Sequence, residues 1–257
     1  MLNYGLDMSA LDGGFALPGL VAEGDELDAL VSAHPDWTRP TPAAGWTIAH
    51  QIAHLASADE NVVIAVRDPE GFDAVLERAA AAGARYADLD AAAGAAVPRQ
   101  VLLERWRAGR AEAAAALRDV PPDHGFPWFG SRLTSVLMTP LRLMETWAHG
   151  QDVFDALGAS RRPTDRLREV AALGVTGREL SFGAAGLPVP AAPFRVELTN
   201  PSGLTWAWGP QDAPQRVLGT ALDFCLRVTR RRSRAETGLR AVGADADRWL
   251  DVARVFL

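Results

Sequence analysis

Glu145 and His149 stand four residues apart in the stretch Glu145-Thr146-Trp147-Ala148-His149-Gly150-Gln151-Asp152, and Asp152 follows three residues later. On a helix, residues i and i+4 share a face, so this pair can offer one oxygen and one nitrogen to a single ion. The same spacing also describes an ordinary exposed polar pair, and spacing alone does not separate the two readings. A third ligand must come from another element. His54 is the strongest candidate, inside Ile48-Ala49-His50-Gln51-Ile52-Ala53-His54-Leu55, an apolar run with helical character. Residues on facing helices of a bundle project into a shared core, where metal sites are built. Two imidazoles and one carboxylate leave coordination positions open, as catalytic sites require. A histidine in an apolar run is also commonly just a satisfied core residue. His50 lies four before His54, so the two histidines form an alternative pair. His34 and His124 sit beside proline-rich breaks and read as loop residues.

The elements that must position these residues follow from periodicity. Leu17, Leu20, Val21, Leu27, Leu30 and Val31 form one helical stripe that ends before Pro35. A second helix starts at Thr47, a suitable N-cap, and carries His50 and His54. A weaker, alanine-rich helix is predicted over roughly 70–92. A fourth opens near Pro98, which suits a first helical turn. The run from Pro121 to Arg132 breaks the pattern and reads as a loop. The last helix of this half starts at Thr134 or Pro140 and ends at Gly158, a candidate C-cap. Long helices joined by short or polar loops predict an antiparallel bundle.

The pattern changes after about residue 162. One helix is predicted over 164–186. Residues 193–199 and 204–209 alternate as strands around Asn200-Pro201-Ser202-Gly203, a hairpin turn. The segment 214–232 reads as helical in its second part, 237–243 as a short strand, and 245–256 as a closing amphipathic helix. The fold class is therefore α+β: an N-terminal antiparallel helical bundle over 1–162, then a smaller α+β domain over 163–257. No internal repeat is visible.

Composition bounds the function. The 257 residues are 48% hydrophobic, enough for a sizeable core, and the net charge of -6 argues against a nucleic-acid footprint. Arg227, Arg230, Arg231, Arg232 and Arg234 run against that balance as one short cluster able to meet an anion. The lone cysteine, Cys225, excludes an intrachain disulfide and, between Phe224 and Leu226, reads as a small core residue. Residues 1–14 lack a basic start and an apolar stretch, and no apolar run approaches the ~18 residues of a membrane span. The expected setting is cytoplasmic, the expected partner a small molecule, and the expected state a monomer or homodimer.

The stretches 45–59 and 142–158 resemble the two metal motifs of the DinB-like, mycothiol-dependent maleylpyruvate isomerase superfamily. In the second stretch Trp147, Gly150, Gln151 and Asp152 all fall in place. Phe126-Pro127-Trp128-Phe129-Gly130, residues 223–232 and residues 244–253 are similar to a metal-binding subgroup with a C-terminal wyosine-formation-type domain. The resemblance implies a DinB-like metal-binding bundle and makes His54, Glu145 and His149 the metal ligands. It places Asp152 beside the pocket as an orienting acid. It takes a basic residue from the C-terminal domain, for which Arg231 fits best and which would favour an anionic substrate. His50 stands where an acid is common in relatives, so it is a base, a ligand or a solvent-facing residue. The implied chemistry is a divalent ion, zinc first, that lowers the pKa of a low-molecular-weight thiol, mycothiol, for transfer to or isomerisation of a small electrophile. Two alternatives stay open: a thiol-free metal-dependent isomerase, cyclase or hydrolase, and a non-catalytic metal-binding protein. Trp46, Trp128, Phe129 and Trp147 flank the motifs, either as pocket lining or as core.

Overall fold

The computed structural model describes residues 13–255. Residues 1–12, most of the N-terminal stretch discussed above, lie outside them, as do residues 256 and 257. The described chain divides into two compact units, 13–161 and 162–255.

The first unit is built on four long helices: α1 (Gly13–Ala33), α2 (Ile48–Arg67), α5 (Arg99–Asp119) and α6 (Ser135–Leu157). Two shorter helices, α3 (Phe72–Ala82) and α4 (Tyr86–Ala95), lie between α2 and α5. The predicted single helix over 70–92 is thus two helices. Gly83, at φ 57°, adopts a backbone that other residues resist, and a short 3-10 turn over Gly83–Arg85 follows it. α6 starts at Ser135 after Thr134, not at Pro140, and the helix runs on through Pro140. Gly158 ends it in the left-handed conformation, with the Ala159 N–H donating to Phe154 O at 3.0 Å. The predicted loop over 121–132 contains a hairpin, β1 (Phe126–Trp128) paired with β2 (Ser131–Leu133). Its two-residue turn places Phe129 at φ 29° and Gly130 at φ 86°. Phenylalanine is not a residue that announces such a turn, so the hairpin was not legible.

α2 packs against α4, α5 and α6, and α1 packs against α5 and α6. Leu27, Val31, Trp37, Ile48, Ile52, Leu55, Leu102, Leu103, Trp106 and Val153 form their shared core. Burying a large apolar side chain contributes about 1.5–3 kcal/mol, which is the main force holding these helices together. A polar clamp adds to it. Asp28 on α1 accepts from Arg107 of α5 at 2.8 and 2.5 Å, and also from Ser32 and Arg110.

The second unit carries a four-stranded sheet in the order β4 (Thr205–Trp208), β3 (Phe194–Thr199), β5 (Gln215–Thr220), β6 (Arg240–Val242). β3 pairs antiparallel with β4 and parallel with β5, and β5 pairs antiparallel with β6. The β3–β4 turn is the one foreseen at residues 200–203. The Asn200 carboxamide oxygen accepts from the N–H groups of Ser202 and Leu204, and Gly203 takes φ 85°. The predicted helix over 164–186 is two, α7 (Leu167–Thr176) and α8 (Arg178–Ala184), broken at Gly177. α9 (Ala221–Val228) and α10 (Ala244–Val252) complete the unit. Trp249 packs edge-on against Phe194 at 5.8 Å and lies 5.8 Å from Phe224. Cys225 is fully buried, and burial pushes its thiol well above the ordinary value, which fits a packing role and not a nucleophile.

Two outcomes follow. The Arg107 hydrogen bond holds the Asp28 carboxyl below the ordinary 3.8, ahead of the smaller effects of Ser32 and Arg110. A lowered folded-state pKa contributes stability above the unfolded value and loses it as pH falls. The melting temperature of wild type should therefore exceed that of Asp28→Asn at pH 7, and the gap should shrink as pH drops below 3.8. In the second unit, a Cβ on Gly174 would meet Phe224 Cε1 and a Val228 methyl, each at 2.9 Å. Gly174→Ala should destabilise the protein by about 1–3 kcal/mol, read by chemical denaturation.

Candidate metal centre and pocket

α2 presents His54 and α6 presents Glu145 and His149. The helices bring the His54 and His149 rings to a centroid distance of 4.5 Å. Trp46, just before α2, covers both: it stacks on His149 at 5.9 Å with planes 19° apart and lies 5.4 Å from His54. The Trp46 indole N–H donates to Asp88 of α4 at 2.8 Å, which fixes the ring in place.

A hydrogen-bond chain sets the state of His149. Thr41 donates its hydroxyl to Trp46 O at 3.0 Å, so its oxygen is left as an acceptor. Gln51, fully buried, must therefore turn its amide nitrogen to Thr41, at 2.9 Å, and its oxygen to His149 Nδ1, at 2.6 Å. An amide oxygen only accepts, so Nδ1 of His149 carries the proton. The neutral ring then keeps its lone pair on Nε2, the form in which an imidazole binds a metal.

Arg142 sets the position of Glu145. It is fully buried, donates to Asp59 on α2 at 2.9 and 3.2 Å and to Leu55 O at 3.4 Å, and ion-pairs with one carboxylate oxygen, Oε2, of Glu145. Burial acts against the Arg142 charge, but Asp59 and Glu145 outweigh it and hold its pKa above the ordinary value. Glu145 Oε1 has no hydrogen-bond partner among the described residues and the residue lines the pocket beside His54.

The remaining predicted site residues have their own surroundings. His50 closes the start of α2: its Nδ1 accepts from the Thr47 backbone N–H at 3.3 Å and lies 2.8 Å from Thr47 Oγ1. Asp152 is buried on α6. Arg231 belongs to the second unit, where it donates to Thr229 O at 2.8 Å. Of its neighbours, Arg227 donates to Leu250 O, Asp251 O and Ala253 O at the end of α10, and Arg234 ion-pairs with Asp247 and Asp251. Trp147 is core, under the Arg161 guanidinium. Among the described residues no three His, Cys, Asp or Glu side chains converge as a metal-binding group. The donor types nevertheless fit a divalent ion: two adjacent imidazoles, one with a fixed tautomer, and a carboxylate with a free oxygen on the same wall as His54.

Beside His54 and Glu145 a pocket of about 220 Å³ opens. α2 lines it with His54, Ser57, Ala58 and Asn61, α4 with Tyr86, Ala87 and Asp90, and the β1–β2 hairpin with Trp128 and Phe129. Sequence reading missed Gln51, Arg142, Ser57, Asn61 and Tyr86. Ser57, Ala58 and Asn61 follow His54 at three, four and seven residues, the spacing of one helix face, and Gln51 is a polar residue in an apolar run. Both signals were available.

Residues 20–154 match the model of the mycothiol maleylpyruvate isomerase N-terminal domain, and residues 190–238 match that of wyosine base formation. A protein found in two strains of Mycobacterium tuberculosis, whose name states no activity, is 49% identical over 247 residues, 95% of this chain and 96% of its own. Crystal structures of the mycothiol-dependent maleylpyruvate isomerase are similar in fold. A histidine-to-alanine mutant superposes with a TM-score of 0.60 and a second structure with 0.57, each at 17% identity over 91% of this chain and 94% of the other. With a family model matching more than half of its length and a relative this similar along nearly all of it, the chain belongs to the mycothiol maleylpyruvate isomerase family.

Proposed function

We propose that the protein is a divalent-metal-dependent enzyme that uses a low-molecular-weight thiol, mycothiol, to transfer to or isomerise a small electrophilic substrate. The observation that carries this reading is the Thr41–Gln51–His149 chain, which in the neutral ring puts the His149 lone pair on Nε2, beside the His54 ring. A core histidine needs only a satisfied hydrogen bond; here a fully buried amide is spent on choosing the tautomer. His54, His149 and Glu145 would hold the ion, zinc in the first instance. A bound zinc supplies Lewis acidity that keeps a thiol as thiolate at neutral pH.

The chain's own residues do the positioning. Gln51 orients His149, and Arg142 holds Glu145 through one oxygen while leaving the other to the pocket. Trp46 packs against both imidazoles. Asp152, three residues beyond His149, is assigned to orienting a ligand or substrate. Arg231 is assigned to an anionic group of the substrate. His50 has Nδ1 committed to Thr47, so only Nε2 is left for a proton-transfer role. The family membership supports a small-molecule substrate and mycothiol as cosubstrate. No described helix is long and apolar enough to cross a membrane.

The Arg142–Glu145 ion pair favours a second reading, in which Glu145 is structural and the protein binds its ligand without a metal. Elemental analysis of purified protein, reconstituted with zinc, separates the two. The proposal expects about one metal per chain in wild type and almost none in His54→Ala or His149→Ala; no metal in wild type would end it. Gln51→Ala should keep the fold and weaken zinc affinity by about 10–100-fold, read by competition with a chelating dye. Unchanged affinity would remove the tautomer argument. Chelation of the metal should abolish mycothiol-dependent turnover of electrophiles such as maleylpyruvate, whereas thiol-independent turnover would point to a metal-dependent isomerase, cyclase or hydrolase.

A further inference from the structure

A second cavity opens in the first unit between α1 and α5, and it shares no lining residue with the pocket beside His54. Its volume is about 360 Å³, inside the range of about 300–1,000 Å³ typical of small-molecule sites. Gly24 on α1 and Ala111 and Ala114 on α5 line it and carry too little side chain to close the gap. A Cβ on Gly24 would meet Arg110 Nη1 at 2.9 Å, so the glycine also makes room for the guanidinium that crosses to Asp25. Leu20, Val21 and Trp106 supply apolar wall, and Val21 is 38% exposed.

At the floor, acceptors lack donors. Asp59 is 3% exposed, and Arg142 donates to its Oδ1 through Nε and Nη2, at 3.2 and 2.9 Å. No described residue donates to Oδ2. Thr146, which also lines the cavity, gives its hydroxyl proton to Arg142 O at 2.9 Å, so its oxygen can still accept. Burial raises the Asp59 carboxyl above the ordinary range, and Arg142, which also serves Glu145, reverses only part of that. An ammonium group, with three donors, a positive charge and no acceptor, completes this floor.

Toward the rim, donors lack acceptors. Arg107 and Arg110 are ion-paired with Asp25 and Asp28, but Arg110 Nε is buried without a partner. Arg118 forms no hydrogen bond or ion pair with another described residue. A Cβ on Gly109 would lie 3.8 Å from Asp59 Cβ, so Asp59 is level with that turn of α5. Arg118 is nine residues further on, about 13 Å along the axis, and a helical side chain leans back toward the N-terminus. Two extended residues span about 7 Å, which fits the remaining gap. We propose that this cavity binds a dipeptide with free termini, its ammonium on Asp59 and Thr146, its peptide carbonyl on Arg110 and its carboxylate on Arg118. The site stands apart from the pocket beside His54 and does not rest on the proposed function.

Ligand-observed NMR on the metal-free full chain tests it, with alanyl-leucine beside its N-acetylated and C-amidated forms. Metal-free protein is used because a free dipeptide itself chelates zinc. Each blocked form should bind about five- to tenfold more weakly than the free dipeptide, the loss of one charged, hydrogen-bonded end. Arg118→Gln should weaken the free dipeptide by about five- to tenfold and leave the amidated form unchanged. Thr146→Val should weaken the free dipeptide and leave the acetylated form unchanged. Arg118 is exposed, so its variant should keep the wild-type melting temperature; where Thr146→Val lowers it, the Arg118→Gln result decides. Blocked forms that bind as well as the free dipeptide, binding indifferent to Arg118→Gln, or no binding at millimolar dipeptide would overturn the site. The zinc content of the purified protein has no bearing on these outcomes, so the site and the proposed function fail separately.

Discussion

The first unit is organised around one buried guanidinium. Arg142 has no exposed surface, so every donor it carries must find an acceptor inside the protein. It finds Asp59 and Leu55 O on α2 and Glu145 on its own helix. A charge in this position is stabilised only while those acceptors stay in place, and breaking a buried pair by removing one partner costs about 3–5 kcal/mol. That cost resists any slide of α6 along α2. The same two helices supply His54 and His149, so the register that keeps Arg142 satisfied is the register that puts the two imidazoles 4.5 Å apart. Asp59 shows the tension in the arrangement: burial raises its carboxyl above the ordinary range, and Arg142 pulls it back only in part.

Hydrophobic packing alone would not specify this register so narrowly. α2 and α5 share alanines and leucines that tolerate small displacements, whereas a guanidinium fork meeting a carboxylate does not. The loop before α2 adds a second constraint. Thr41, Trp46 and Gln51 form a closed set of donors and acceptors in which each orientation dictates the next, ending at His149 Nδ1. The two constraints act on different side chains, one on the Glu145 carboxylate and one on the His149 imidazole, and both pass through α2.

Much of this was legible in the chain. The Glu145–His149 spacing and the apolar setting of His54 put three donor residues on two helices, and periodicity gave the four long helices. What stayed hidden has physical causes. Gln51 acts through a backbone turn at residues 41–46 that no periodicity describes. Arg142 reads as a helix-face cation until its burial is known. Within the arginine cluster near residue 230, Arg227 and Arg234 hold α10, one by its terminal carbonyls and one by its carboxylates. Charge in a sequence gives no sign of whether it faces a ligand or a helix end.

The β1–β2 hairpin shows why the pocket could not be read from its residues alone. Phe129 holds φ 29°, a conformation a phenylalanine adopts at a cost of about 1–3 kcal/mol unless its surroundings fix it. Here they do: Phe72, Tyr86 and Trp128 all contact its ring. Tyr86 is thereby held from one side by an aromatic neighbour while its hydroxyl end remains unpaired. A ring fixed by packing with its polar end unsatisfied is organised before any ligand arrives, so the ordering cost of binding is already met by the fold. The strained turn and the unpaired hydroxyl are therefore two parts of one feature: the fold spends packing energy to keep a hydrogen-bonding wall in place beside His54.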